Sequence, residues 1–205
     1  MQQLVGLWDS PFVRRAVITM RLYGMDFEPV KISVYRHADQ LHAINPQLTV
    51  PALVLDSGDV LIDSDSIIDH LDEVYGRERA LTPAFGAERR AVLNVIAQAS
   101  VACDKVGQLY RELEWRPEAV RYAPAIDRFR NQIADTYALL EDRLQGDWYV
   151  GKRMTQADVA VAVMVRFVAY YGDKLACLPA GSYPRLQALS QRCEAMPAFI
   201  ATPLD

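Results

Sequence analysis

Patterns that favour strands stop near residue 76 and do not return. Before that point, short apolar runs at 4–8 and 27–34 read as strands, the second with Phe27, Val30, Ile32 and Val34 in rough alternation. Residues 52–55 and 60–62 read as two more, folded about Asp56-Ser57-Gly58-Asp59, a strong hairpin turn. Between the first pair, Ser10-Pro11 predicts a helix start, with serine as the cap and proline where its missing N–H costs nothing. Phe12, Ala16, Val17, Met20 and Tyr23 continue at helical spacing until Gly24. Residues 36–44 predict one or two helical turns, broken at Asn45-Pro46. Ile67, Ile68, Leu71 and Tyr75 give a last apolar face, ended by Gly76. The order is β-α-β-(short α)-β-β-α, and the first crossover predicts a parallel, right-handed pair.

Beyond residue 86 only helical patterns remain, at 87–113, 119–144, 155–170 and 184–195. A chain that changes class at one point folds as two units. The expectation is an α/β domain over 1–76, a charged, proline-containing linker over 77–86, and an all-α helical bundle over 87–205. The 205 residues are 51% apolar, enough for a core in each.

A net charge of −4 argues against a broad basic face for nucleic acid or anionic lipid. The pairs Arg14-Arg15 and Arg89-Arg90 read as solvated helix faces. Three cysteines, Cys103, Cys177 and Cys193, form no C-x-x-C pair, which suits a reducing, cytoplasmic setting. Met1-Gln2-Gln3 does not open a secretory signal. The longest apolar run, Val159 to Val165, is too short to span a bilayer. No His/Asp/Glu spacing suggests a metal site, and no glycine-rich phosphate loop occurs. Thr155-Gln156-Ala157-Asp158 reads as a capping box with Met154 and Val159 at the staple positions, so Thr155 and Asp158 are assigned a structural role.

Taken together, Ser10-Pro11-Phe12, Asn45-Pro46, Val50-Pro51-Ala52-Leu53, Leu61-Ile62-Asp63-Ser64 with Ile67 and His70-Leu71, and Thr155-x-x-Asp158 resemble the cytosolic glutathione transferase family. No single piece is specific; their order and spacing along the whole chain are. The resemblance implies a thioredoxin-like first domain, a helical second domain, a cis bond before Pro51, a homodimer and glutathione as co-substrate, with no metal.

Each candidate residue also has a plain structural reading. Ser10 caps a helix; in the serine-type classes the resemblance makes its hydroxyl the donor that favours thiolate over thiol in bound glutathione. A free thiol, with pKa about 8.5, is only slightly ionised at neutral pH, and helix N-termini lower that value. Asp9 beside it would oppose a thiolate if it faced the same way. A cis Val50-Pro51 would turn the Val50 N–H and C=O toward the ligand's cysteinyl backbone, as an added strand. Ser64 reads as an N-cap with Asp65 set against the helix dipole. In the family reading Ser64 and the helix N–H groups hold the γ-glutamyl carboxylate while Asp63 pairs with the amine.

For the glycine carboxylate the candidates are Arg36, His37 and His42, with Arg36 nearest the family's usual position. Thr49 stands where some classes have Lys or Gln. Phe12, Tyr110, Trp115 and Tyr171 are candidates for an apolar wall against the electrophile. Cys103 reads as a buried, inert thiol. The expected activity is thiolate attack on an electrophile; the alternative is a non-catalytic binding or regulatory protein of the same fold. A thiol–disulfide oxidoreductase is disfavoured because Ser10 stands where a redox cysteine is needed. The family's isomerase class carries a Ser-Ser-Cys-type loop, from which Asp9-Ser10-Pro11-Phe12 departs.

Overall fold

A computed structural model describes residues 1–177 and 183–204. Contacts divide the chain into Met1–Ala84 together with the chain from Ala195, and Phe85–Glu194.

The first unit is built on four three-residue strands, β1 (Gln3–Val5), β2 (Glu28–Val30), β3 (Ala52–Val54) and β4 (Val60–Ile62), in the order β2-β1-β3-β4. β1 and β2 are parallel; β3 pairs antiparallel with β1 and β4. Alternation decides the faces. Leu4 and Leu53 point into one core with Val13, Ala16, Val17 and Met20 of α1 (Pro11–Leu22) and Ile67 and Leu71 of α3 (Ser64–Tyr75). Val5 and Ala52 point to the other side, against Ile32 and Leu41, the latter on α2 (Ala38–Ile44).

The strands are shorter than the sequence suggests. The run at 4–8 ends at Val5 because Gly6 turns out of the sheet at φ +134° while still donating its N–H to Val30 O at 3.0 Å. The run at 27–34 is cut to Glu28–Val30, the sheet edge, where Pro29 can sit without a full set of ladder bonds.

Three further expectations need correcting. Arg14 and Arg15 are not solvated: they are 2% and 4% exposed. Arg14 Nε donates to Thr202 O at 2.9 Å beside the Phe199 ring, and so anchors the tail carrying α8 (Pro197–Ile200) to α1. That tail, placed by sequence with the helical bundle, groups with the first unit. Of the 77–86 linker, residues 77–84 group with the first unit as well. Tyr23 Oη donates to Asp72 and accepts from Leu81 N–H at 2.7 Å, pinning the segment after α3 to the end of α1, while Tyr23 and Tyr75 stack at 4.0 Å. Burial raises the Asp72 carboxyl, offset by hydrogen bonds from Tyr23 and Thr82.

The second unit comprises α4 (Gly86–Tyr110), α5 (Ala123–Arg143), α6 (Gln156–Leu175) and α7 (Pro184–Glu194). α4 packs on α5 and α6, and α7 on α5 and α6. α6 is buried almost all round in its first half, from Gln156 to Met164, as its apolar composition requires. Its capping box is formed. The Asp158 carboxylate accepts from Thr155 N at 2.7 Å, Thr155 Oγ1 at 2.8 Å and Tyr149 N at 2.9 Å. Burial still raises its pKa, because three donors do not replace full hydration. A π turn, Arg111–Trp115, follows α4 without a break. Among the described residues no helix is long and apolar enough to cross a membrane.

Candidate functional site

Strand register alone brings the sequence candidates together. Val30, Val5, Ala52 and Ile62 form one row across the sheet. One residue further, the chains continue as Lys31, Gly6, Pro51 and Asp63, all at the same end and about 5 Å apart strand to strand. The β1–α1 loop with Ser10, the segment entering β3 with Val50, and the β4–α3 junction with Ser64 therefore leave the sheet side by side. α1 and α3 both begin there. Their mouths are tied directly, since Arg15 Nη1 on α1 meets Asp65 Oδ1 in the first turn of α3 at 2.7 Å.

Gly6 sets how closely these pieces approach. A Cβ there would lie 2.5 Å from Val13 Cγ2 and 3.1 Å from Val50 Cβ, and φ is +134°. Glycine is therefore required on two counts. Its absent side chain lets the Val50 segment rest against the first turn of the helix that Ser10 caps.

Each group has unused capacity. Ser10 Oγ accepts from Val13 N–H only at 3.5 Å, and its own hydrogen has no acceptor among the described residues. The Val50–Pro51 bond is cis, and the Val50 N–H and C=O have no partner among the described residues. Asp63, not Ser64, is the N-cap of α3, a correction to the sequence reading: Asp63 Oδ1 accepts from Asp65 N–H at 2.8 Å. The chain must turn from strand to helix within one residue, so the side chain at the turn is the one aimed back at the helix N–H groups. Asp63 holds φ 71°, ψ 138°, a conformation that costs an L-residue about 1–3 kcal/mol and is concentrated at binding sites. Ser64 becomes the first helical residue, 3% exposed, and its Oγ has no partner among the described residues.

The basic candidates are less tightly placed. Arg36 is exposed, and only its backbone N–H is engaged, by Ser33 Oγ at 3.3 Å. His37 Nδ1 accepts from Ser33 N–H at 3.1 Å, and His42 is exposed. Lys31, which the sequence reading passed over, stands in the row itself with Nζ 3.5 Å from the centre of the Trp8 ring. Its signal was available: it directly follows the strand parallel to β1.

Of the aromatic candidates, Tyr110, Trp115 and Tyr171 meet in the second unit. Tyr110 packs edge-on against Trp115 at 6.3 Å and Tyr171 at 5.2 Å, and Phe167 joins Tyr171 at 5.1 Å. Phe12 belongs to the first unit. Cys103, Cys177 and Cys193 are buried thiols. Burial raises Cys177, and pushes Cys193 up to about 12. Among the described residues no group of His, Cys, Asp and Glu is placed to hold a metal ion.

Residues 4–79 match the model of the glutathione S-transferase N-terminal domain, and residues 123–192 match that of its C-terminal domain. The chain belongs to the glutathione S-transferase family. It is 28% identical to a Vibrio cholerae protein named "probable maleylacetoacetate isomerase", over 96% of this chain and 92% of that one. It is 29% identical to the maleylacetoacetate isomerase of Pseudomonas aeruginosa, over 96% and 93%. A glutathione S-transferase of Methylobacterium radiotolerans, solved in complex with glutathione sulfonate, is 27% identical and superposes with a TM-score of 0.91 over 100% of this chain and 95% of its own.

Proposed function

We propose that the chain binds glutathione across the row Lys31, Gly6, Pro51 and Asp63 and uses Ser10 to hold its sulfur as thiolate. The observation carrying this reading is the Val50 backbone, unpartnered among the described residues and lying between two helix N-termini. An extended peptide can add to Val50 as a short strand. Its γ-glutamyl carboxylate then reaches Ser64 Oγ and the first N–H groups of α3. The free carboxylate oxygen of Asp63 takes the ammonium. Lys31 and Arg36 are the candidate cations for the glycine carboxylate. The cysteinyl sulfur comes to the mouth of α1, where the uncommitted Ser10 hydrogen and the helix dipole favour the anion.

The thiolate then attacks an electrophilic carbon, forming a C–S bond as a leaving group or a π-electron pair moves away. This reading includes a homodimer in the cytoplasm. A second reading, in which the thiolate adds, lets a double bond rotate and departs, is favoured by the names of the Vibrio and Pseudomonas relatives. It is opposed by the Asp9-Ser10-Pro11-Phe12 loop. Product analysis separates the two, since only conjugation consumes glutathione.

The test is calorimetric titration with glutathione. Wild type should bind saturably; Ser64→Ala and Asp63→Asn, the latter keeping the cap, should each weaken binding by about tenfold or more, the scale of one hydrogen bond to a charged group. Absence of binding at millimolar glutathione removes the proposal.

A further inference from the structure

We infer that Asn45 is a positioning residue for the proposed site, fixing the direction in which the Val50 N–H points. The inference rests on the glutathione reading. In sequence, Asn45-Pro46 marks only the break after a short helix. In the structure Asn45 is the C-cap of α2, 2% exposed, and the polar groups it carries are all engaged nearby. Its N–H donates to Leu41 O at 2.7 Å, and its carbonyl accepts from Leu48 N–H at 3.0 Å. In the side chain, Oδ1 accepts from Gln47 N–H at 3.1 Å. Nδ2 donates to Thr49 O at 2.9 Å and to Thr49 Oγ1 at 3.0 Å. The Gln47 contact also settles which end of the amide is which, because a backbone N–H needs the oxygen.

An Asx turn that merely closes the helix needs the Oδ1 contact alone. The two Nδ2 contacts reach further, to the residue before Val50. Thr49 C=O and Val50 N–H belong to one planar peptide, and the only cis bond among the described residues is Val50–Pro51. In a trans peptide the carbonyl and the N–H point opposite ways. Holding Thr49 O against Asn45 therefore turns the Val50 N–H away from the loop interior, where it has no partner among the described residues. The loop needs that hold: Leu48 sits at φ 55°, a left-handed conformation that a bulky side chain rarely adopts. Without the Nδ2 anchor the Thr49–Val50 peptide is free to rotate, and the donor rotates with it. A donor aimed before the ligand arrives spares the cost of ordering it on binding. Its natural acceptor is the cysteinyl carbonyl of an added peptide strand. Asn45 itself is too buried to touch the ligand.

The experiment compares two thiol ligands by calorimetry: γ-glutamylcysteinamide, which has the cysteinyl carbonyl, and γ-glutamylcysteamine, which lacks it. Wild type should prefer the first by about fivefold, the scale of one neutral hydrogen bond. Asn45→Ser and Asn45→Asp each keep an oxygen for the Gln47 N–H and remove the donor to Thr49. In either variant, with folding confirmed by circular dichroism, the preference should shrink to about twofold or less, while γ-glutamylcysteamine binds as in wild type. General loosening of the site would weaken both ligands alike and keep their ratio. A second measurement needs no variant: in wild type without ligand, the Val50 amide proton should exchange freely with solvent, read by nuclear magnetic resonance. A preference unchanged in the variants, parallel weakening of both ligands, or a protected Val50 amide would overturn the inference. If wild type binds neither thiol at millimolar concentration, the glutathione reading falls first and this inference with it.

Discussion

At the scale of single residues, Gly6 shows how a site is positioned by what is missing. Its two nearest neighbours, Val13 and Val50, carry the two pieces of chain that must converge, and a methyl group between them would have to displace one. Gly6→Ala should destabilise the fold by about 1–3 kcal/mol from overpacking and left-handed strain. It should also weaken glutathione binding in the fraction that stays folded. A thermal melt with a parallel titration reads both, and a variant with unchanged Tm would show that the contact relaxes freely. Asp63 makes the complementary case: its side chain caps α3 from a strained backbone, and in the proposed function its other carboxylate oxygen takes the ligand's ammonium. Ser10 and the hairpin at Asp56–Asp59 were legible in sequence because caps and tight turns are decided by neighbours in the chain. Asp63 as cap was not, because an acid next to a serine offers two candidates and only the turn geometry chooses. Arg14 and Arg15 were misread for a different reason. Their partners, Thr202 and Asp65, lie 188 and 50 residues away, and no local pattern carries that information.

Among elements, α6 depends most on a single polar group. Asp158 satisfies two backbone N–H groups and a hydroxyl at a buried helix start. Asp158→Ala leaves these donors without acceptors and should cost about 2–4 kcal/mol, read by chemical denaturation. A loss within ±0.5 kcal/mol would mean that water replaces the carboxylate. The capping box was legible from Thr155-x-x-Asp158, but the added Tyr149 contact was not, since it comes from the preceding loop. The π turn left no sequence signal either; residues 87–113 read as one regular helix. Its stability should depend on pH through Glu112, whose carboxyl the Tyr122 N–H and Arg116 hold below the usual glutamate range. A carboxyl held below its ordinary value stabilises the fold above that value, about 4.3, and the contribution disappears as pH falls through the folded pKa. Glu112→Gln should therefore lower Tm at pH 7, and the gap should close at more acidic pH. Asp72 and Asp158, raised by burial, run in the opposite sense, which is why the comparison is between variant and wild type at each pH. A gap constant with pH would show that packing, not charge, is involved.

For the whole molecule, the change of pattern near residue 76 was enough to separate an α/β unit from a helical one. It did not reveal that residues 77–84 and the chain from Ala195 group with the first unit, because both are held by side-chain contacts to α1 and α3 rather than by periodicity. The proposed site was read from the sequence as a set of motifs. Its assembly rests on strand register, which places Lys31, Gly6, Pro51 and Asp63 in one line and brings two helix beginnings to it. The central claim is that this line receives a tripeptide thiol and ionises it beside Ser10. Its most direct test follows the ultraviolet absorbance of the thiolate of bound glutathione against pH, in wild type and in Ser10→Ala. The bound thiol should titrate below the free value of about 8.5, and Ser10→Ala should move it back up by about one unit, tenfold in thiolate at a given pH. Identical titrations in the two proteins, or a bound thiol that titrates like the free one, would contradict the account.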